Sequence, residues 1–129
     1  MASPLSLVAQ RLGAFLALLG IILGAFAAHA LKPILLRNGT WDIWQTAVFY
    51  QFVHALAMLA TGQGTILRMP TLFCWWLGTV LFSGSLYLLA LFPSQHWAGP
   101  FTPVGGALLM AGWACLLWDL RHQKQKPQK

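Results

Sequence analysis

The sequence predicts an all-α membrane protein, a bundle of four transmembrane helices with both termini on the cytoplasmic side. Three observations predict it. Residues 12–31, 43–61, 71–92 and 101–118 are long apolar stretches without a formal charge, and all ten Asp, Glu, Lys and Arg residues fall outside them. Each stretch is 18 to 22 residues long. At about 1.5 Å per residue, about 20 helical residues cross a hydrocarbon core roughly 30 Å thick. Only 8% of the chain is charged, against about 25% in a soluble domain. A charge at the bilayer centre costs several kcal/mol, and the chain avoids that cost four times.

The distribution of positive charge sets the orientation. Arg11 precedes the first stretch, Arg68 lies between the second and third, and Arg121, Lys124, Lys126 and Lys129 lie in the polar tail, residues 119–129. Lys32 and Arg37 are the only basic residues on the other face. Positive residues are enriched in cytoplasmic loops, so both termini are expected there. The net charge of +6 is thereby read as a topology signal, and no nucleic-acid partner is expected. The whole chain forms one integral domain, with no room for a soluble catalytic unit.

The elements follow in order. Residues 1–11 form a short leader, expected to make an interfacial turn. The first span has a basic residue before it and Ala28-His29-Ala30 after it, like a signal peptide. It is longer than a usual signal h-region and is read as a membrane span. Loop one, residues 32–42, holds Pro33 and the turn pair Asn38-Gly39. Asn38-Gly39-Thr40 also fits a glycosylation sequon, but its closeness to the membrane favours the turn. Ile34, Leu35 and Leu36 suggest a partly interfacial segment. Loop two spans residues 62–70. Loop three, residues 93–100, is bounded by Pro93 and Pro100. Thr102 followed by Pro103 fits the start of the fourth helix, with a hydroxyl N-cap and proline first. Trp41, Trp44 and Trp97 are expected at the outer interface, and Trp75, Trp76, Trp113 and Trp118 toward the inner one.

Helices associate in lipid by close backbone approach at small residues. Gly13, Ala17, Gly20, Gly24 and Ala28 form one stripe along the first span, which is expected to be the main helix–helix seam. Gly105 and Gly106 mark a second packing site in the fourth. In the second span, Thr46, Tyr50, Gln51, His54 and Thr61 share an arc of about 140°. Phe49, Phe52, Leu56 and Leu59 lie opposite and are expected to face lipid. Thr79, Ser83 and Tyr87 line one side of the third span, and Cys74, Gly78 and Ser85 the other. That two-sided pattern suggests a central position or an oligomer contact. Depth arithmetic puts His54 near Ser83, close enough for a hydrogen bond between them, and His29, Tyr50 and Tyr87 near the outer surface. A polar cluster of His29, Tyr50, Gln51, His54, Ser83 and Tyr87 is therefore expected, with His54 lowest.

These residues also carry a family resemblance. Residues 24–32, Gly-Ala-Phe-Ala-Ala-His-Ala-Leu-Lys, resemble the GAFGAHALK signature of the YgdD-like small membrane proteins. Residues 46–56, 82–87 and 102–106 are similar to that family's motifs in the second, third and fourth spans, and the likeness covers nearly the whole chain. Ala27 stands where the family usually has glycine, a change that keeps the position small. The resemblance implies a four-span protein of the bacterial inner membrane, or an organellar equivalent. It implies no established activity.

No acidic residue lies in any stretch, which argues against a proton-coupled cation exporter. The chain has no Walker loop, no Gly-x-Ser-x-Gly elbow and no His-Glu-x-x-His. A non-enzymatic protein without a cofactor or metal is expected. Three roles remain. The first is a structural or accessory subunit, or a small homo-oligomer, whose partners are the bilayer and other subunits or copies. The second is a channel or carrier for a small neutral solute or proton. The third is a quinone-, haem- or lipid-binding redox partner. The first is favoured by the glycine stripe. His29 and His54 are estimated to differ in depth by roughly 12 Å, too far to ligate one iron together, and a hydrogen-bonded structural histidine is the plainer reading. Cys74 and Cys115 are read as small apolar residues.

Overall fold

The computed structural model of the protein describes residues 3–123, which form helices and no strand. Helix α1 runs Pro4–Ala28, with Ser3 as its N-cap accepting from the Ser6 amide at 3.1 Å. A short α2, Lys32–Asn38, is closed by Gly39 at φ 66°. That left-handed conformation is nearly free for glycine and unfavourable for other L-residues. Helix α3 runs Trp41–Gly62, with Asp42 in its first turn, where a carboxylate complements the helix dipole. Helix α4 spans Met69–Leu91 and α5 spans Phe101–Gln123, joined through a 3₁₀ turn at His96–Ala98. Among the described residues, four helices are long and apolar enough to cross a membrane.

The long helices alternate in direction. At one end, the terminal end, Ser6 Oγ donates to the Gly62 carbonyl, and Arg68 pairs with Asp119 at 3.3 Å. At the far end, Asn38 Nδ2 donates to the carbonyls of Ala90 and Leu91 at 3.1 and 3.3 Å, and Thr40 Oγ1 to Ala90 at 2.7 Å. Those bonds satisfy carbonyls that the end of α4 leaves open. They also give Asn38 a turn role inside the fold.

The main interfaces are α1 on α3 and α4 on α5, with α3 on α4 joining the two pairs. Gly13 sits so close to α3 that an added Cβ would lie 2.7 Å from the Ala55 carbonyl, and at Gly20 it would meet Phe52 at 3.1 Å. A Cβ added at Gly105 would run into the backbone of Phe82. The glycine stripe is thus a seam within this chain. Gly24 has looser contact, with Val48 at 3.9 Å, and Gly106 has ordinary contact with Phe82 at 3.6 Å. Two apolar cores result. One, at the terminal end, contains Ala9, Leu16, Met58, Leu72 and Trp75. The other, at the far end, contains Ala27, Leu35, Trp44, Val48 and Ala90.

Several expectations need correction. The leader is helical from Pro4, so Arg11 lies exposed on α1 rather than in a turn. Its helix start is supplied by the Ser3–Pro4 pair, which the apolar run did not include. The first span ends at Ala28 rather than residue 31, and loop one contains α2. Helix α5 begins at Phe101, ahead of the expected Thr102 cap, because Thr102 bonds to Ser85 instead. Trp44 and Trp75 are buried in the cores rather than at interfaces. Phe52 and Leu59 face Gly20 and Gly13 of α1, while Phe49 and Leu56 are exposed. Lys124, Lys126 and Lys129 lie outside the described residues.

Candidate functional site

Gln51 is the hinge of a three-helix bond network. Its Nε2 donates to the Leu16 carbonyl of α1 at 2.8 Å, and its Oε1 accepts from the Tyr87 hydroxyl of α4 at 2.8 Å. Gln51 is buried at 2% exposure. A buried amide needs both its donor and its acceptor matched, and here the two neighbouring helices supply the partners. The Tyr87 ring also packs on Trp44, centroids 4.6 Å apart. One helical turn away, Ser83 Oγ donates to the Ala47 carbonyl at 2.8 Å.

His54 ties in α5. Its Nδ1 lies 2.8 Å from the Tyr50 carbonyl, and its Nε2 accepts from the Trp113 indole N–H at 3.1 Å. A carbonyl only accepts, so Nδ1 carries the proton. Indole N–H only donates, so Nε2 carries the lone pair. The two partners together fix a neutral imidazole with both nitrogens satisfied. Aromatic rings surround it: Tyr50 nearly parallel at 6.3 Å, Trp75 at 6.3 Å and Trp113 at 6.1 Å. Across α4 and α5, the hydroxyls of Ser85 and Thr102 pair at 2.7 Å. Every spanning helix is therefore tied to another through a side chain.

The expected cluster is brought together in part. Gln51 and Tyr87 bond each other, and Ser83 and His54 lie on the same α3–α4–α5 side. The expected His54–Ser83 bond is not made, because each has a nearer main-chain partner, Tyr50 and Ala47. Tyr50 is 39% exposed and contributes its ring, packed on Phe82 at 4.7 Å. His29 is exposed at the C-cap of α1, apart from the cluster. The shorter span explains its place: α1 stops just before it. Trp113 was missed as a partner because tryptophans near span ends favour interfaces. Its signal was its depth, about 9 Å along α5 from Asp119, one that suits a partner for His54.

Among the described residues, three buried side-chain polar atoms have no hydrogen-bond partner: Thr71 Oγ1, Trp75 Nε1 and Thr79 Oγ1. They recur every fourth residue on α4, and Ser83 and Tyr87 continue the same row. Cys74 and Cys115 are free thiols, half-buried. Among the described residues, no group of three or more His, Cys, Asp or Glu is placed to hold a metal ion.

Comparison with known proteins places this arrangement. The family described as "Protein of unknown function (DUF423)" matches residues 23–106. The UPF0382 inner membrane protein YgdD of Escherichia coli strain K12 is 43% identical over 113 residues, covering 82% of this chain and 83% of that protein. A UPF0382 membrane protein of Staphylococcus haemolyticus is 39% identical over 110 residues, covering 82% of this chain and 88% of its own length. One from Staphylococcus saprophyticus is 40% identical over 110 residues, with 82% and 90% covered. No solved structure matches the chain. The matched region runs from the end of α1 into α5 and includes Gln51, His54, Ser83 and Tyr87, and this chain, with its four candidate membrane spans, belongs to the DUF423 family.

Proposed function

We propose that this protein is a non-catalytic accessory component of the bacterial inner membrane, packing against other membrane subunits or copies of itself. The observation that carries this reading is where its polar and small residues lie. Gln51, His54, Ser83 and Tyr87 bond within the chain. The outward side of α5, by contrast, presents Ala107, Ala111 and Ala114. Small residues on a lipid-facing helix allow a second backbone to approach closely. Helices α1 and α5 lie at the two ends of the packing order, and each makes its main interface with one neighbour. Arg11, Arg68 and Arg121 gather at the terminal end, which supports a cytoplasmic position for it. Chemical crosslinking in intact membranes, followed by mild-detergent extraction and mass measurement, tests the reading. A crosslinked species heavier than one chain is expected, and an Ala111→Leu variant should lose it. A lone monomer under both treatments would contradict it.

A second reading, passage of a small neutral solute or proton, is favoured by the unpartnered row of Thr71, Trp75 and Thr79. Its test is flux through liposomes containing the protein. An equal flux from a Thr79→Val variant, or none above empty liposomes, would remove it.

A further inference from the structure

At the terminal end, the start of α1 and the loop between α3 and α4 enclose a cavity of about 460 Å³. That size lies within the roughly 300–1,000 Å³ of small-ligand pockets. Ser3, Ser6 and Gln10 line it from α1, and Gln63, Gly64 and Thr65 from the loop, with Leu67 as the one large apolar side chain. The α1 side is braced. The Gly62 carbonyl accepts from both Ser6 Oγ and Gln10 Nε2, the latter at 2.9 Å, and Gln10 Nε2 also donates to Ser6 Oγ at 3.2 Å. Both bonds of Gln10 use Nε2, so its Oε1 is left to accept. The loop side is adaptable. Gln63 and Thr65 are exposed, and an amide or a hydroxyl side chain can both give and receive a hydrogen bond. Among the described residues, the main-chain amides of Thr65 and Leu67 find no main-chain acceptor. A second cavity of about 450 Å³, between the starts of α1 and α4, is lined by apolar side chains instead, Leu5, Val8, Phe73 and Trp76 among them.

Charge narrows the ligand. The chain has two acidic residues. Asp42 is in the first turn of α3, at the far end, and Asp119 pairs with Arg68 and lines a separate cavity against α5. The polar cavity therefore offers an ammonium group no carboxylate. Positive charge stands beside it: Arg11 follows Gln10, Arg68 follows Leu67, and both are exposed. A phosphate beside a guanidinium gains charge-assisted hydrogen bonds. The same two helices continue as an apolar track toward the bilayer centre. Ile21 lies about three turns along α1 from Gln10, and Leu56 about two turns along α3 from Gln63, each on the same helix face. They are 61% and 58% exposed. We propose that this cavity seats the headgroup of a membrane phospholipid whose head is phosphoglycerol. The glycerol hydroxyls exchange hydrogen bonds with Gln10, Gln63 and Thr65, the phosphate takes the charge of Arg11, and the acyl chains follow the track past Ile21 and Leu56. Polar and basic recesses between spanning helices are a known way to hold lipid headgroups. No bond is made or broken.

The test titrates the full-length protein in detergent micelles with phosphatidylglycerol and follows bound lipid by native mass spectrometry. Phosphatidylethanolamine with the same acyl chains tests the headgroup, and phosphatidic acid tests the glycerol. Free glycerol 3-phosphate separates a lipid site from a site for the soluble phosphate. One phosphatidylglycerol per chain is expected, bound at least tenfold more tightly than phosphatidylethanolamine and several-fold more tightly than phosphatidic acid, with no saturable binding of glycerol 3-phosphate. A Cβ added at Gly64 would meet only main-chain atoms of Thr61 and Ile66, at 3.9 and 4.0 Å, so Gly64→Leu should fold and fill the cavity. It should weaken binding at least tenfold, whereas Gly84→Leu, at a position with nothing within 4 Å, should bind as the parent does. A Gln63→Leu, Thr65→Val double variant and an Arg11→Gln variant should each lose several-fold. Equal binding of the glycerol and ethanolamine lipids, undiminished binding by Gly64→Leu, or glycerol 3-phosphate binding as tightly as the lipid would each overturn the proposal.

Discussion

Trp113 on α5 donates its indole N–H to Nε2 of His54 on α3, at 3.1 Å, and so joins two helices whose backbones form no major interface. The Tyr50 carbonyl holds the opposite nitrogen at 2.8 Å. The intramembrane histidine is thus matched on both sides by groups of its own chain.

Trp113→Phe should weaken the bundle by about 0.5–1.5 kcal/mol, the usual range for one interhelical hydrogen bond in a membrane protein. His54→Ala removes both bonds and leaves a hole among Tyr50, Trp75 and Trp113. It should cost more, about 2–4 kcal/mol, as for other large-to-small core changes. Unfolding in mixed micelles with increasing dodecyl sulfate, followed by circular dichroism, measures both. Equal stability of His54→Ala and the parent would show that the ring contributes no packing or bonding.

Neighbouring glycines should behave differently. Gly105→Ala forces a methyl against the backbone of Phe82, and Gly13→Ala against the Ala55 carbonyl. Each is expected to destabilise by about 1–3 kcal/mol, the range for overpacking. Gly84→Ala has open space, and Gly106→Ala ordinary contact, so both should unfold close to the parent. The same unfolding assay ranks the four. A ranking by helix propensity alone would instead stabilise all of them.

The loop before α3 should act as a clamp. Gly39→Ala at φ 66° is expected to cost about 1 kcal/mol, since a left-handed conformation is unfavourable for a residue with a Cβ. Asn38→Leu should release the Leu91 carbonyl and leave Thr40 as the remaining side-chain donor to the Ala90 carbonyl. Amide hydrogen exchange should then rise in α2, with α3 and α5 unchanged. Uniform exchange across the whole chain would point to global loosening instead.

Spans, end-to-end order and the α1 seam were legible because lipid imposes strong rules. Charge is excluded from the hydrocarbon, and close helix contact needs small residues, so Gly13, Gly20 and Gly105 declared their roles. The central position of α4 was legible from polar residues on both of its sides. Ends were less so: Ser3 and Pro4 start α1 through capping chemistry that an apolar window does not register. The site was legible by residue type and only partly by pairing. Gln51, His54, Ser83 and Tyr87 stood out as polar groups in apolar runs, yet their partners are largely main-chain carbonyls of Leu16, Tyr50 and Ala47, which carry no sequence signature. Trp113 was hidden for a related reason, since the same indole suits an interface or a buried acceptor equally.

The central claim is that hydrogen bonds from the intramembrane polar side chains hold the spans together, with the Gln51–Tyr87 pair joining α3 to α4. A double-mutant cycle on Gln51 and Tyr87 tests it most directly, using Gln51→Leu, Tyr87→Phe and the pair in the dodecyl sulfate unfolding assay. A coupling energy of about 0.5–1.5 kcal/mol is expected, in line with interhelical hydrogen bonds measured in membranes. Strictly additive effects, with no coupling between the two positions, would contradict it.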